Sequence, residues 1–283
     1  MRSRIVLNTV SALRRGVVSG DQYVRRLCGS RSARVRHEYD RLRRCGDGEA
    51  TTSILGPPLL LSHAASFEGM HREIFEREIF RFDTMTPAPR IIDCGAHVGM
   101  ASIYLGWRHP DARITAFEAD PCIATLARKN LDAFGLQRVE VVAAAVTDHD
   151  GVVTFSSTGD LAGRVGSGKG LQPRTTITVP AVRLSPYLEE PVEFLKIDIE
   201  GAEAVVLTSI ADRLHNVRRL FVEYHGFAAE EQGLPEVLEI LSRSGFRYYI
   251  TNAYDFRQAP LSDHRSHCGM DLQLNIFCDR RES

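Results

Sequence analysis

With 283 residues and 43% hydrophobic content, the chain can bury a full core, and one large domain with an accessory segment is expected. A formal net charge of -1 supplies no field that would gather nucleic acid. Six Cys without metal-ligand spacing, and no apolar run near the length of a membrane span, set aside zinc modules, disulfide scaffolds and membrane-spanning proteins in favour of a soluble, cytoplasmic protein with reduced thiols.

Residues 1–85 read as a helical and irregular extension. Its first fifty residues carry twelve Arg, no Lys and five acids. This locally basic stretch suits amphipathic helices packed on the main domain, with a membrane surface or an acidic partner as the alternative. Early apolar residues in "IVLNTVSALRRGVVSG" are interrupted by Asn, Ser and paired Arg, unlike a signal peptide. "GDGEATTSILGPPLLL" reads as a linker. "FEGMHREIFEREIFRF" places Ile74, Phe75, Ile79, Phe80 and Phe82 near helical spacing, which predicts one buried helical face before "TPAPR" ends it.

Over residues 86–283 strands and helices alternate. Strand "RIID" leads to a helix from about Gly99, strand "RITAFE" to helix "PCIATLARKNLDAFG", and strand "VEVVAAAV" follows. A detour through "GVVTFSS", a glycine-rich segment and "TTITVPAV" intervenes. Strand "EFLKIDI", helix "AEAVVLTSIADRL", strand "RLFVEYH", helix "LPEVLEILSRSG" and strands "RYYIT" and "LQLNIFC" complete the order. The alternation predicts an α/β, doubly wound, mostly parallel sheet. Long and rich in Gly, the segment from Gly159 to Gly170 suits a substrate cover or a surface insertion.

In such sheets ligands sit beyond the carboxyl ends of the strands. Those ends carry Asp93, Glu118, Val146 to Asp148, Asp198 to Gly201, and Glu223 to His225. So many acids suit a cationic cofactor or a metal and would repel a polyphosphate. No G-K-[ST] follows the first glycines, which argues against a phosphate loop. A nicotinamide-dependent oxidoreductase needs G-x-G-x-x-G, and His97 stands where the second glycine would be. The turn Asp93-x-Gly95-x-x-x-Gly99 suits a sulfonium cofactor instead. In that reading Gly95 lets the backbone approach, His97 presents its backbone, and Glu118 accepts hydrogen bonds from two ribose hydroxyls.

The segments "IIDCGAHVGMASIYL", "AFEADP", "AAAVTDHDG", "FLKIDIEGAEAVVL" and "LFVEYH" resemble the FkbM-type S-adenosylmethionine-dependent methyltransferases from about Glu73 to Cys278. The resemblance implies a Rossmann-like class I methyltransferase sheet of seven strands with an antiparallel final strand. It also implies methyl transfer to oxygen, commonly a hydroxyl of a sugar, polyketide or other secondary metabolite, with nitrogen or carbon as alternative acceptors. Asp93, Gly95, Ala96, His97 and Gly99 then match the S-adenosylmethionine loop and Glu118 the ribose position, with Ala119 among the cofactor-binding residues. Asp148 matches the adenine position and Asp198 the motif facing cofactor and substrate, with Ala145 among the cofactor-binding residues. The small hydroxyl acceptor is the expected partner, and assembly into a homo-oligomer stays open.

Independently of any family, Lys196, Asp198 and Glu200 alternate at the end of an apolar strand, and a buried Lys requires a carboxylate such as Asp198. Glu223 and His225 alternate on the next strand. If the two strands are neighbours, Lys196, Asp198, Glu200, Glu223 and His225 form the catalytic candidates, with His225 the first choice as general base. Asp198, Glu223 and His225 could equally hold a divalent metal such as Mg²⁺ that acidifies the acceptor hydroxyl. His264 and His267, in a late loop, are further candidates for the substrate border.

Overall fold

A computed structural model of the chain describes residues 33–157, 164–165, 175–254, 261–263, 266 and 268–280. By internal contacts they fall into two compact units. One is drawn from Met1–Pro89, Ala96–Ala116 and Cys122–Val142, the other from Arg90–Gly95, Phe117–Pro121 and Ala143–Ser283.

In the first unit, helix α1 (Ala33–Cys45) buries Val35, Tyr39 and Leu42, the spacing of a single helical face. The segment expected as a linker instead forms an antiparallel hairpin, β1 (Ala50–Thr52) with β2 (Leu59–Leu61). Leu59 and Leu61 alternate inward, and Gly56, with φ of 107°, makes the reversal. The expected continuous helix over Phe67 to Phe82 is also corrected. It is a short helix, α2 (Phe67–His71), followed by a π-helical turn, Arg72–Glu76, closed by Arg77 N–H donating to Arg72 O at 2.8 Å.

Aromatic rings pack around this turn. His71 stacks on Phe75 with centroids 5.5 Å apart, while Phe75 meets the ring edges of Tyr104 and Trp107 on helix α3 (Met100–Arg108). Tyr39 closes the cluster: its hydroxyl donates to Glu76 Oε1 at 2.8 Å and lies 2.8 Å from His71 Nδ1. Burial, opposed by Glu76, pulls His71 down from 6.5 to about 4, so the buried ring is neutral. Helix α4 (Pro121–Ala133) contributes Ala127, Asn130 and Leu131 to the interior.

The second unit holds the strands that matter most for the site. These are β3 (Arg90–Cys94), β10 (Val192–Ile197), β11 (Val217–Phe227), β12 (Arg247–Asn252) and β13 (Met270–Asp279). Strand β10 pairs in parallel with both β3 and β11, while β13 runs antiparallel between β11 and β12. With β4 (Arg113–Glu118) and β5 (Val139–Ala143), the seven-stranded order is β12-β13-β11-β10-β3-β4-β5. The fold is therefore the α/β, mostly parallel, methyltransferase-type sheet expected, including its antiparallel strand near one edge.

"VEVVAAAV" is not one strand. It ends as β5 at Ala143 and restarts as β6 (Ala145–Thr147), which belongs to a separate sheet with β7 (Gly151–Ser157), β8 (Arg164–Val165) and β9 (Thr175–Arg183), ordered β6-β9-β7-β8. Ala145, Phe155 and Val179 form a small core there, with Ala119, Val153 and Ile177 packed against it. A run of alternating small apolar residues fits either sheet, so periodicity alone does not reveal the switch. Most of the Gly159 to Gly170 segment, together with His264 and His267, lies outside the described residues. Among the described residues no helix is long and apolar enough to cross a membrane.

The Tyr39 cluster makes two expectations measurable. Tyr39→Phe removes a hydroxyl shared by buried His71 and half-buried Glu76 and should cost about 1–3 kcal/mol in urea unfolding at pH 7. Because the folded value of His71 lies below 6.5, its contribution is present above pH 6.5 and lost as pH falls toward about 4. The loss of stability over that interval should be shallower in His71→Phe.

Candidate functional site

The site begins where β10 stops and β11 continues. In register, Lys196 lies opposite Asp93 on one side and Phe221 on the other, while β11 runs on through Glu223 to Phe227. After Ile197 the chain leaves the sheet through Glu200, with φ of 57°, and Gly201, with φ of 101°, before helix α5 (Glu203–Ile210). This left-handed turn brings the acids of "DIEGAE" beside the overhanging end of β11. The two strands are neighbours, the condition on which the cluster depended.

Lys196 ties the strand ends together from a buried position. Its Nζ is 2.9 Å from Asp198 Oδ2 and 3.4 Å from Asp93 Oδ1, and it donates to Gly95 O at 2.9 Å. Burial alone would strip the proton, but Asp198 and then Asp93 more than offset it and raise the ammonium's pKa. Gly95 is fixed for two reasons. Its φ is 86°, and an added Cβ would lie 1.7 Å from Asp198 O. The glycine requirement therefore comes from the Asp198 carbonyl within the protein, a cause distinct from the ligand approach expected.

His225 is the centre of the second group. Its Nδ1 is 2.9 Å from Glu203 Oε1, and because a carboxylate can only accept there, Nδ1 carries hydrogen. Its Nε2 faces Glu200 Oε2 at 3.7 Å, Glu223 Oε1 at 3.8 Å and Asp198 Oδ1 at 3.9 Å. Burial pushes the imidazole's pKa down, yet Glu200 and Glu203 outweigh it, and the net value rises well above 6.5. Glu200 is pushed up to about 7 by burial, with His225 opposing and Asp198 reinforcing the rise. Imidazole and carboxyl are therefore coupled, each with its proton affinity raised above its ordinary value, so a proton bound at one depends on the charge of the other.

Two members of this network were not among the sequence candidates. Glu203, buried in the first turn of α5, also accepts N–H bonds from Ile199 at 3.3 Å and Gly201 at 3.0 Å, so one carboxylate holds both the turn and the imidazole. The signal was available as an acid opening a helix after Gly201, though its partner on β11 was not. Gln273 lies opposite His225 in the β11–β13 register and donates to Glu223 Oε1 at 2.6 Å. No local pattern marks it.

The remaining expected cofactor residues occupy distinct settings. Glu118 is buried at the end of β4, and its Oε1 accepts the Asp120 N–H at 2.9 Å. Ala119 and Ala145 belong to the small core of the second sheet. Asp148 is exposed on the turn after β6, 2.7 Å from His149 Nδ1, and that bond lowers its pKa. In the first unit, His97 has φ of 50°, and its Nε2 lies 2.9 Å from Ser62 Oγ, so its side chain is engaged within the protein. Gly99, with φ of 89°, starts α3.

A metal has a geometric place within this set. Ligand atoms of Asp198, Glu200 and His225 lie within 4.8 Å of one another. Glu200, absent from the expected triad, thus joins Asp198 and His225, while Glu223 is held by Gln273. The strand-end carboxylates, including Asp93, Glu118 and Asp198, also fit a cofactor that carries positive charge and presents hydroxyl groups as donors.

A family model described as the methyltransferase FkbM domain matches residues 93–248, more than half of the chain. The chain is 24% identical over 213 residues to methyltransferase sdnD of Sordaria araneosa, covering 62% of this chain and 81% of that protein. It is 26% identical over 176 residues to the 2-O-methyltransferase NoeI of Sinorhizobium fredii, covering 55% and 72%. Among solved structures, it is similar to methyltransferase FkbM from Methylobacillus flagellatus, with 13% identity, a TM-score of 0.47 and coverage of 86% and 59%.

The Lys196 network can be measured directly. Lys196→Met leaves Asp93 and Asp198 without their shared cation, and a loss of about 3–5 kcal/mol is expected in denaturant unfolding. An unchanged midpoint and slope would mean that the ammonium does not hold the strand ends.

Proposed function

This chain belongs to the FkbM methyltransferase family, and from that premise we propose that it is an S-adenosylmethionine-dependent O-methyltransferase acting on a hydroxyl of a small molecule. The observation that carries the proposal is His225, with Nδ1 on Glu203 and Nε2 turned to Asp198, Glu200 and Glu223, beside the strand end that carries Asp93 and Lys196. The name of the relative NoeI, a 2-O-methyltransferase, favours oxygen as the accepting atom. A sugar, a polyketide or another secondary metabolite is the acceptor class.

S-adenosylmethionine supplies, when bound, a methyl group on a positively charged sulfur. Asp93, Gly95, Ala96, His97 and Gly99 form the loop assigned to its methionine part, Glu118 accepts the ribose hydroxyls, Asp148 borders the adenine, and Ala119 and Ala145 complete the cofactor-binding set. Asp198 faces both donor and acceptor, and its negative charge favours a cation nearby. Lys196 holds Asp198, Asp93 and the Gly95 carbonyl in one arrangement, so the charge is placed before any ligand arrives.

An alcohol has to lose a proton as its oxygen is alkylated. His225 takes that proton at Nε2, Glu203 holds the ring through Nδ1, and Glu200 and Glu223 stabilise the imidazolium that results. Orientation of the acceptor by the same carboxylates contributes further to the rate.

Calorimetry should detect S-adenosylhomocysteine and no NAD, and Glu118→Ala should weaken that binding by about 1.5–3 kcal/mol. His225→Ala should bind S-adenosylhomocysteine as wild type does while turnover falls on the order of 10²–10⁴-fold. Since the base must be neutral and its pKa is raised, the rate should decline as pH falls through a value above 6.5. Chelator should leave turnover unchanged. Loss of turnover restored by Mg²⁺ would reassign Asp198, Glu200 and His225 to a metal, and a product methylated on nitrogen or carbon would overturn the acceptor class.

A further inference from the structure

Within the first unit, the segment ahead of residue 93 reaches the loop that opens α3 through two polar links. Asn130, on α4, is fully buried. Its Oδ1 accepts the Leu60 N–H at 2.7 Å, and its Nδ2 donates to Leu60 O at 2.9 Å and to Val98 O at 2.8 Å. One amide thereby joins strand β2, helix α4 and the loop. The second link is Ser62, just beyond β2, whose Oγ lies 2.9 Å from His97 Nε2.

Both links end on adjacent residues of a loop that needs support. His97 has φ of 50°, a left-handed conformation that a residue with a Cβ adopts at a cost. Two residues on, Gly99 has φ of 89°, and a Cβ there would rest 3.6 to 3.7 Å from Leu131 and Ala127 of α4. Its N–H donates to Ala96 O at 2.9 Å, which closes the turn. A loop of this kind holds a single shape only where its surroundings determine it. Here the surroundings are β2, Ser62 and α4.

We infer that β2 and Ser62, outside the matched region 93–248, are part of the donor-binding apparatus, with Ser62 and Asn130 acting as positioning residues for residues 96–99. The inference rests on the assignment of that loop to S-adenosylmethionine. A loop already in its binding shape loses less freedom when the donor arrives, so the brace acts on donor affinity and not on the proton transfer at His225. The amide of Asn130 suits this role because all three of its hydrogen bonds are made to backbone, and they do not depend on which side chains β2 carries.

The test uses the full-length chain with S-adenosylhomocysteine as the calorimetric probe, well below the melting temperature of each variant. Ser62→Ala should weaken binding roughly 2- to 12-fold, the equivalent of one ordinary hydrogen bond, and Ser62→Thr, which keeps a hydroxyl, should restore it. Asn130→Ala should weaken it more. In turnover, KM for the donor should rise while kcat and the KM of the acceptor stay as in wild type. If Asn130→Ala does not fold, the half-buried Ser62 decides the question through its two variants. Equal affinity in wild type and Ser62→Ala, with only the melting temperature lowered, would overturn the brace and leave the donor assignment standing. Absence of binding by wild type would instead overturn the donor assignment, and the brace with it.

Discussion

A single ammonium determines how the strand ends of this protein can be arranged. Lys196 is buried, and a buried cation survives only where anions compensate its lost hydration. Asp198 and Asp93 provide the charge and the Gly95 carbonyl provides a third acceptor. The consequence is geometric as well as electrostatic: β3, β10 and the first turn after each are drawn to one point. Gly95 passes so close to the Asp198 carbonyl that no side chain fits between them. Glycine, lysine and the two aspartates therefore form one constraint.

Around that constraint the site gathers carboxylates beside one ammonium and one imidazole. Asp198, Glu200, Glu203 and Glu223 surround one imidazole, and their joint field raises its proton affinity despite burial. Glu203 differs from the others because two backbone N–H groups of the turn also bind it. It serves as the fixed end of the network, and the carboxylates facing Nε2 form the other end. Such an arrangement matches a reaction in which a cationic donor meets an acceptor that must give up a proton, because both demands are met by preplaced negative charge.

The first unit shows another way of reaching a similar end. Its interior is aromatic, with His71 stacked on Phe75 beside the π-helical turn and the Tyr39 hydroxyl joining His71 Nδ1 to Glu76. From the same unit, β2 reaches residues 97 and 98 through Asn130 and Ser62. Loop residues that pay conformational strain are thus held by hydrogen bonds from segments distant in sequence.

Much of this was legible in the order of residues. Period-2 and period-3.6 patterns mark the main strands and helices, and the acids ending the strands mark the end of the sheet where Asp93, Asp198 and Glu223 lie, because both features are local and repeat along the chain. Lys196 could be paired with Asp198 from their alternation, and Asp198 with His225 once two strands were assumed to be neighbours. Three things required the tertiary structure. Ala145 moved to a different sheet because small apolar residues fit either one. Phe67 to Phe82 did not remain one α-helix, since Arg77 N–H closes a π-turn on Arg72 O that apolar spacing does not foretell. Glu203, Gln273, Ser62 and Asn130 gained their roles from partners 22, 50, 35 and 32 residues away. A sequence specifies which groups can donate, accept or carry charge, whereas packing decides which of them meet, since the partner of a buried polar atom is selected by the whole fold.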